Sequence, residues 1–378
     1  MRATCKQTGF IACVAFIVCA MSTLTHAADQ IPGAPQAKPI ALTNATIHPV
    51  TGPTIRKGTL IFADGRIVAL GADAAIPDGA QRINLKGKHV YPGLIDAYTD
   101  MGLIEINAVR ATRDQSETGR INPNVKANVA VKPDGEVIPV ARSNGVLLTL
   151  TVPRGGLING QSALLQLDGW TYEDLTVASP VGVHVDWPRM TPAPAWYDKS
   201  PAKDQIAQRD KALAELEQAF DDARAYLRAR QAAKEHKRPM PDRDARWEGM
   251  IPLLERRVPM IVRADELAEI QAAVAFAVRQ NVRVAIFGGY DAPHCAELLK
   301  THDVPVIIAG AHRLPRRRHE GYDLPFTLPK RLQDAGVTWC LSGAYRFGAS
   351  MVRNLPYHAA SAAAYGLPRD AAIKSITL

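Results

Sequence analysis

Eight short apolar segments, most of them rich in β-branched residues, recur along the chain between residues 89 and 343. Near-continuous apolar strands that are buried on both faces are typical of parallel sheets. In the second half of the chain the segments alternate with helical sequence, which is the order expected of a (β/α)8 TIM barrel. A doubly wound open sheet is the alternative α/β fold, but no GxGxxG motif opens a helix here. The segments are HVYPGLIDA, VLLTLTV, SALLQL, VGVHVDW, VPMIVRAD, VRVAIFGG, VPVIIAG and VTWCLSG.

Residues 40–90 show a different pattern, in which short alternating strands are broken by turns. Asp64-Gly65 stands between two of these strands, where a tight hairpin turn would lie. The sequence therefore predicts a small β unit ahead of a barrel that occupies residues 91–378. Residues 28–39, which are rich in Pro and Ala, are expected to be a linker.

The first 27 residues have the features of a secretory signal peptide. Arg2 and Lys6 precede an apolar run over residues 9–21, and a small-residue cleavage site ends at Ala27. The run is shorter than the roughly 20 residues that span a bilayer, and a retained anchor is the alternative. We expect an exported, periplasmic protein that is not an integral membrane protein.

The chain carries 45 Lys and Arg against 37 Asp and Glu, a net charge of +8 that loss of the leader lowers by two. This mild excess hints at an anionic ligand or partner. It does not indicate nucleic-acid binding, since no zinc-finger spacing, RNP-type aromatic pattern or basic zipper is found. A homo-oligomer is compatible with the sequence.

A long amphipathic helix is predicted over residues 203–236, with its apolar side chains on one stripe. Packing against the barrel wall is the expectation, and a coiled-coil partner surface is the alternative. Outside the leader only Cys295 and Cys340 remain. They could form one disulfide, but a buried, inert thiol is expected for Cys340, which lies in an apolar strand.

Four long segments of the mature chain carry a family resemblance: GTLIFADGRIVALG, VYPGLIDAYTDMG, VPMIVRADELAEIQAAVAFAVRQNVRVAI and NLPYHAASAAAYGLPRDAAIKSITL. They resemble the amidohydrolase superfamily, in particular its imidazolonepropionase-like and prolidase-like branch. The resemblance implies a metal-dependent barrel with a small β-sandwich built from both chain ends. It also implies a hydrolase of non-peptide carbon–nitrogen bonds such as those of cyclic amides. Because the sequence ends at Leu378, ahead of the last sandwich strands, an incomplete sandwich is expected.

The positions at which this superfamily binds its metal hold other residue types here. The resemblance aligns its His-x-His pair with Tyr98 and Asp100, and its strand 5 histidine with Arg263. Strand 6 ends in IFGGYD and strand 8 in LSGAYRF, neither of which has the usual ligand. An arginine repels a divalent cation and a neutral tyrosine is a poor zinc ligand. The usual metal-activated water is therefore not expected, and the sequence predicts no metal site.

A bound divalent metal, whether Zn²⁺, Mg²⁺ or Mn²⁺, is the alternative. Asp96, Asp100 and Asp265 could hold a hard ion of this kind, together with Asp186 and His312. The competing interpretation is structural, with Asp96 orienting the loop after strand 1 and Asp265 capping the following helix. If the chain is catalytic, the candidate residues are Asp100, Asp186 and His312.

Arg154, Arg263 and Arg346 follow strands 2, 5 and 8, so their guanidinium groups are expected at the barrel mouth. Three such groups around one pocket suit a carboxylate or phosphate ligand, with Tyr98 and Tyr290 as further contacts. Internal ion pairs between these arginines and the nearby aspartates are the alternative.

The segment HRLPRRRHEGYD after strand 7 is strongly basic. It could be a lid that contacts an anionic ligand, or a basic loop that is simply solvated. His184 and His358 lie in strand and helix patterns and are expected to be structural histidines with satisfied hydrogen bonds.

Two functions follow from the sequence. The resemblance implies a hydrolase of carbon–nitrogen bonds. The residues at the barrel mouth favour a metal-free relative that binds an anionic ligand or a protein partner.

Overall fold

The computed structural model describes residues 35–193, 199–343 and 348–378. The predicted signal peptide and most of the predicted linker lie outside the described residues. The described chain has an α/β fold, in which a small β-sandwich sheet precedes a (β/α)8 barrel, as the sequence predicts.

The small sheet has five strands among the described residues, with β1 at its centre. The strands are β1 (Ile40–Ile47), β2 (Ile55–Ala63), β3 (Arg66–Gly71), β4 (Gln81–Asn84) and β5 (His89–Val90). β1 is antiparallel to β2 and parallel to β4 and β5. The predicted hairpin turn joins β2 to β3, and the φ angles of 49° at Asp64 and 70° at Gly65 are typical of a two-residue hairpin turn.

The remaining strands build the barrel. They are β6 (Leu94–Thr99), β7 (Val146–Thr151), β8 (Ile158–Gln161), β9 (Ala163–Gln166), β10 (Thr176–Ala178), β11 (Val183–Asp186), β12 (Met260–Ala264), β13 (Val284–Gly288), β14 (Val306–Ile308) and β15 (Trp339–Leu341). β8 and β9 together take one strand position of the barrel, and β10 is an additional strand that pairs with β9. β6 is parallel to β7, and β11 to β15 form a parallel set in chain order. β15 contacts β6, so the last strand returns to the first.

The third predicted barrel strand runs in the opposite direction to its neighbours. Residues 158–166 pair antiparallel with β11 through β8 and antiparallel with β7 through β9. The prediction of a parallel strand at SALLQL was therefore wrong. An apolar run reports burial on both faces, and it carries no information about strand direction.

Side chains alternate along the barrel strands between the interior and the outer core that the helices cover. On β12, Ile261 faces the interior while Met260 and Val262 pack outward. On β13, Phe287 faces the interior and Ile286 packs outward. This alternation decides which residues reach the barrel mouth.

The helices cover the outside of the barrel. They are α1 (Val137–Ser143), α2 (Tyr172–Leu175), α3 (Ala202–Glu235), α4 (Ala245–Leu254), α5 (Leu267–Arg279), α6 (Ala296–Thr301), α7 (Leu324–Asp334), α8 (Leu355–Ala364) and α9 (Arg369–Lys374). The long helix α3 buries Leu216 and Phe220 in the outer core. It therefore packs on the barrel wall, as expected.

Cys295 and Cys340 are both free thiols. Burial raises the pKa of the Cys340 thiol to about 12, which keeps it protonated and unreactive. Within the described residues, every helix is too short or too polar to span a bilayer.

Candidate functional site

Aromatic side chains fill the barrel interior near the ends of the strands. Tyr98 of β6 stacks on Phe287 of β13, with ring centroids 3.4 Å apart and 7° between the ring planes. His184 of β11 meets Tyr98 edge-on, with ring centroids 5.5 Å apart. All three side chains are buried. We call Tyr98, Phe287 and His184 the aromatic plug.

Burial keeps the polar members of the plug uncharged. It raises the pKa of the Tyr98 phenol above its usual value. It also lowers the pKa of the His184 imidazole to about 3, and the positive charge of Arg154 acts in the same direction. The plug is therefore neutral at physiological pH.

His184 is not the satisfied structural histidine that the sequence predicts. Among the described residues, neither of its ring nitrogens has a hydrogen-bond partner. A buried polar atom without a partner costs about 1–3 kcal/mol, so ring packing against Tyr98 must offset this loss.

Phe287 lies outside the set of predicted site residues, because the resemblance pointed to the residues after it. Gly288 and Gly289 have no side chain to project, and both have positive φ, of 108° and 64°. The alternation of side chains along the strand could have predicted its position, because Phe287 lies on the same face of VAIFG as Ala285, and both face the barrel interior.

Asp96 ties the end of β6 to the loop after β15. It is fully buried and accepts hydrogen bonds from the Tyr98 amide (3.1 Å), the Ser342 hydroxyl (2.8 Å) and the Gly343 amide (2.8 Å). Burial raises its pKa to about 6, although these hydrogen bonds oppose the shift. Asp96 thus has a structural role, but its contacts fix the loop after β15 and not the loop after β6 that the sequence pointed to.

Asp100 and Arg154 meet at the barrel mouth. A guanidinium nitrogen of Arg154 lies 3.7 Å from the Asp100 carboxylate, which also accepts a hydrogen bond from the Ala349 amide (2.6 Å). The same guanidinium lies 5.6 Å from the centre of the Tyr98 ring. Arg154 therefore covers the plug and is paired with a buried carboxylate.

Asp186 and Arg263 are cross-strand neighbours at the ends of β11 and β12. Burial raises the pKa of Asp186, while Arg263 and a hydrogen bond from Asn159 act against the shift. Arg263 is exposed, and its side chain forms no ion pair or hydrogen bond with another described residue. Its guanidinium is therefore available to a ligand.

Two arginines of the basic loop after β14 are held by the acids that follow β12. Arg313 and Arg316 lie 3.3 and 2.8 Å from the Asp265 carboxylate, and Arg316 also contacts Glu266 at 3.1 Å. Asp265 therefore does not cap α5, contrary to expectation. Glu269 instead accepts hydrogen bonds from the amides of residues 265 and 266.

A second set of contacts fixes the far side of this loop. Arg317 pairs with Asp291 (2.5 Å) and Glu320 (2.8 Å), and the Tyr290 hydroxyl donates to Glu320 (2.6 Å). Partial burial acts to raise the pKa of Glu320, but the hydrogen bonds from Tyr290 and Arg317 lower it to about 2. The basic segment is thus an ion-paired loop, and the expectation of a simply solvated loop was wrong.

His312 and His358 form a neutral pair beside the mouth. Their ring centroids are 4.2 Å apart, and His312 hydrogen-bonds the Ser361 hydroxyl at 2.7 Å. His358 Nδ1 accepts from the amides of Ala311 and His312, at 3.0 and 3.2 Å. Burial lowers the pKa of both, that of His358 to about 4. His358 has the structural role that the sequence predicts.

These groups surround a cavity of about 830 Å³ at the carboxyl ends of the strands, within the range of small-molecule pockets. We call it the mouth cavity. It is lined by Arg154, Arg263, His312, Arg313, Leu314, Pro315, Arg316, Gly343, Met351, Asn354 and His358. Of the predicted ligand contacts, Arg154 and Arg263 line it directly. Tyr98 lies beneath Arg154, Tyr290 supports the loop, and Arg346 lies outside the described residues.

The side chains at the predicted ligand positions do not fit the metal of a hydrolytic barrel. Tyr98 is a protonated phenol stacked on Phe287, Asp100 is paired with Arg154, and Arg263 is a permanent cation. The alternative carboxylates have other partners, since Asp96 accepts three hydrogen bonds and Asp265 pairs with two arginines. The described residues contain no group of three or more His, Cys, Asp or Glu side chains placed to share an ion.

Comparison with known proteins gives a match at the level of structure alone. No family model matches the chain, and no curated protein matches it. An amidohydrolase from Thermotoga maritima is similar, with 22% identity and a TM-score of 0.77, over 89% of this chain and 86% of that one. A second amidohydrolase has 16% identity and a TM-score of 0.50, over 90% and 85% of the two chains. An uncharacterized protein has 14% identity and a TM-score of 0.50, over 90% and 86%. The chain therefore has the amidohydrolase fold.

Proposed function

We propose that this chain, which has the amidohydrolase fold, binds a small anionic molecule at its barrel mouth and does so without a hydrolytic metal. The single observation that carries the proposal is Arg263. Its guanidinium lines the mouth cavity, is exposed, and has no ion-pair partner among the described residues. A planar guanidinium in this state is suited to a carboxylate or phosphate.

The surroundings of Arg263 support anion binding. Its strand neighbour Asp186 is close enough for the two opposite charges to interact, but the two side chains form no ion pair in the described chain. Arg154 also lines the cavity, and it acts together with Arg263 on Asp186 and Tyr98, so the two guanidinium groups lie near each other. The aromatic plug beneath them is neutral and closes the barrel interior, which keeps a ligand at the mouth.

The second candidate function is hydrolysis of a non-peptide carbon–nitrogen bond, such as that of a cyclic amide. The fold favours it, because the Thermotoga maritima protein of the same fold is an amidohydrolase. The proposal that this chain belongs to the amidohydrolase superfamily is supported by the structural similarity to that protein and by the sequence resemblance. The candidate carboxylate for such a reaction is Asp186, which has one oxygen without a hydrogen-bond partner in the described chain.

Export is part of the proposal. The charged start, the apolar run over residues 9–21 and the small-residue site at Ala27 support secretion to the periplasm. The ligand would then be a molecule of that compartment.

Metal analysis separates the two functions. We expect protein purified from its native compartment without chelators to contain less than about a tenth of an equivalent of Zn, Mn or Fe per chain, because Tyr98, Phe287 and Arg263 supply no adequate donor set. Inductively coupled plasma mass spectrometry measures this directly. About one equivalent that is lost in Asp100→Ala would instead establish a carboxylate-held metal and favour the hydrolase.

Arg263→Gln tests anion binding itself. Butyrate is the probe, and isothermal titration calorimetry on the full chain is expected to show binding that is weakened by about tenfold or more in the variant, since a charge-assisted hydrogen-bond pair is lost. Arg318→Gln is the matched control, because Arg318 lies in the basic loop but does not line the cavity. Equal affinity in all three proteins, or no binding of butyrate to any, would refute the proposed site.

A further inference from the structure

The charges around the mouth cavity are almost fully balanced by the protein itself. Arg154 is paired with Asp100, and Arg313 and Arg316 share Asp265, with Glu266 as a second partner of Arg316. Arg263 is the one arginine of the lining that has no such partner among the described residues. The cavity therefore offers one guanidinium without an ion pair, next to the Asp186 carboxyl, which matches a ligand with no more than one negative charge.

The lining of the mouth cavity also includes apolar side chains. Leu314, Pro315 and Met351 lie in the same cavity wall as the arginines. Leu314 is 85% exposed, an unusual state for a leucine whose neighbours along the chain are fixed in ion pairs. A hydrophobic side chain held at the rim of a cavity in this way can cover the apolar part of a ligand.

We infer that the ligand is an amphipathic monoanion, with a single carboxylate on Arg263 and an apolar body on Leu314, Pro315 and Met351. This inference rests on the proposed function and specifies its ligand class. A dicarboxylate fits less well, because its second charge would lie against the apolar wall or displace Asp265 from its arginines. A phosphate dianion is also disfavoured, because it carries two negative charges and the cavity has only one guanidinium without an ion-pair partner among the described residues.

Three acids test the inference on the full chain: butyrate, octanoate and suberate. Octanoate adds four methylenes to butyrate, and suberate has the same eight carbons as octanoate with a carboxylate at each end. We expect octanoate to bind at least about tenfold more tightly than butyrate, since each fully buried methylene contributes up to about fourfold in affinity. Suberate is expected to bind about tenfold more weakly than octanoate.

Two substitutions assign the binding to this cavity. Arg263→Gln is expected to weaken all three acids, and Leu314→Ser is expected to reduce the ratio of octanoate to butyrate affinity by about threefold or more. Ile67→Ser is the matched control, because Ile67 is 67% exposed on β3 of the small sheet and outside the cavity lining.

The outcomes are distinguishable. If suberate binds as tightly as octanoate, or chain length has no effect, while butyrate binding still depends on Arg263, the ligand class is wrong and the anion site stands. Octanoate binding that neither Arg263→Gln nor Leu314→Ser changes would place the acid elsewhere and overturn the inference. If no acid binds, the inference and the proposed function fail together.

Discussion

Phe287→Ala is expected to lower the free energy of unfolding by about 3–5 kcal/mol. Phe287 is buried in the barrel interior and its ring lies 3.4 Å from that of Tyr98, measured between centroids. Truncation removes this contact and leaves a cavity inside a closed ring of strands, which can collapse only in part. Urea denaturation followed by circular dichroism measures the loss.

Phe287→Leu is the control for this substitution. It keeps most of the apolar volume and loses only the stacking geometry, so the expected decrease is below about 1.5 kcal/mol. If the alanine variant falls by no more than the leucine variant, the plug is not a packed element of the core.

Asp96→Ala is expected to lower the free energy of unfolding by about 3 kcal/mol. The substitution removes the acceptor for the Tyr98 and Gly343 amides, and both donors would be buried without a partner. The Ser342 hydroxyl is less affected, because it also lies 2.7 Å from the Tyr98 carbonyl oxygen. Asp78→Ala, at an exposed site of the small β unit, is expected to change stability by less than about 0.5 kcal/mol.

The ionisation of Asp96 makes the free energy of unfolding decrease as the pH rises. The folded-state pKa of Asp96, about 6, lies above its unfolded value near 3.9, so the folded protein binds more protons between these two pH values. The contribution of Asp96 to stability is therefore full below about pH 4 and declines as the pH rises to about 6. Asp96→Asn removes this titration. A difference in unfolding free energy between wild type and Asp96→Asn that does not change from pH 4 to 7 would contradict the assignment.

The barrel could be predicted from sequence because its strands are buried on both faces and its helices have an apolar stripe. The direction of the third barrel strand could not be predicted. Residues 158–166 have the apolar character of a barrel strand, but only the pairing of β8 with β11 and of β9 with β7 shows that they run antiparallel.

The candidate site could be predicted at the positions that follow a strand. Arg154 and Arg263 were placed at the mouth because the carboxyl ends of barrel strands meet there. The partners of the basic loop could not be predicted in this way. Asp265 is 48 and 51 residues distant from Arg313 and Arg316 along the chain, and only the folded barrel brings the three side chains together.

A barrel that is closed by its own aromatic rings can complete its core as soon as its strands meet. Where metal ligation stabilises a fold, folding and metal supply are linked, and scarcity of the ion exposes unfolded chains. Here the stacked rings of Tyr98 and Phe287 stabilise the barrel interior without a bound ion. Such a chain would reach its folded state at the same yield in metal-poor and metal-rich conditions.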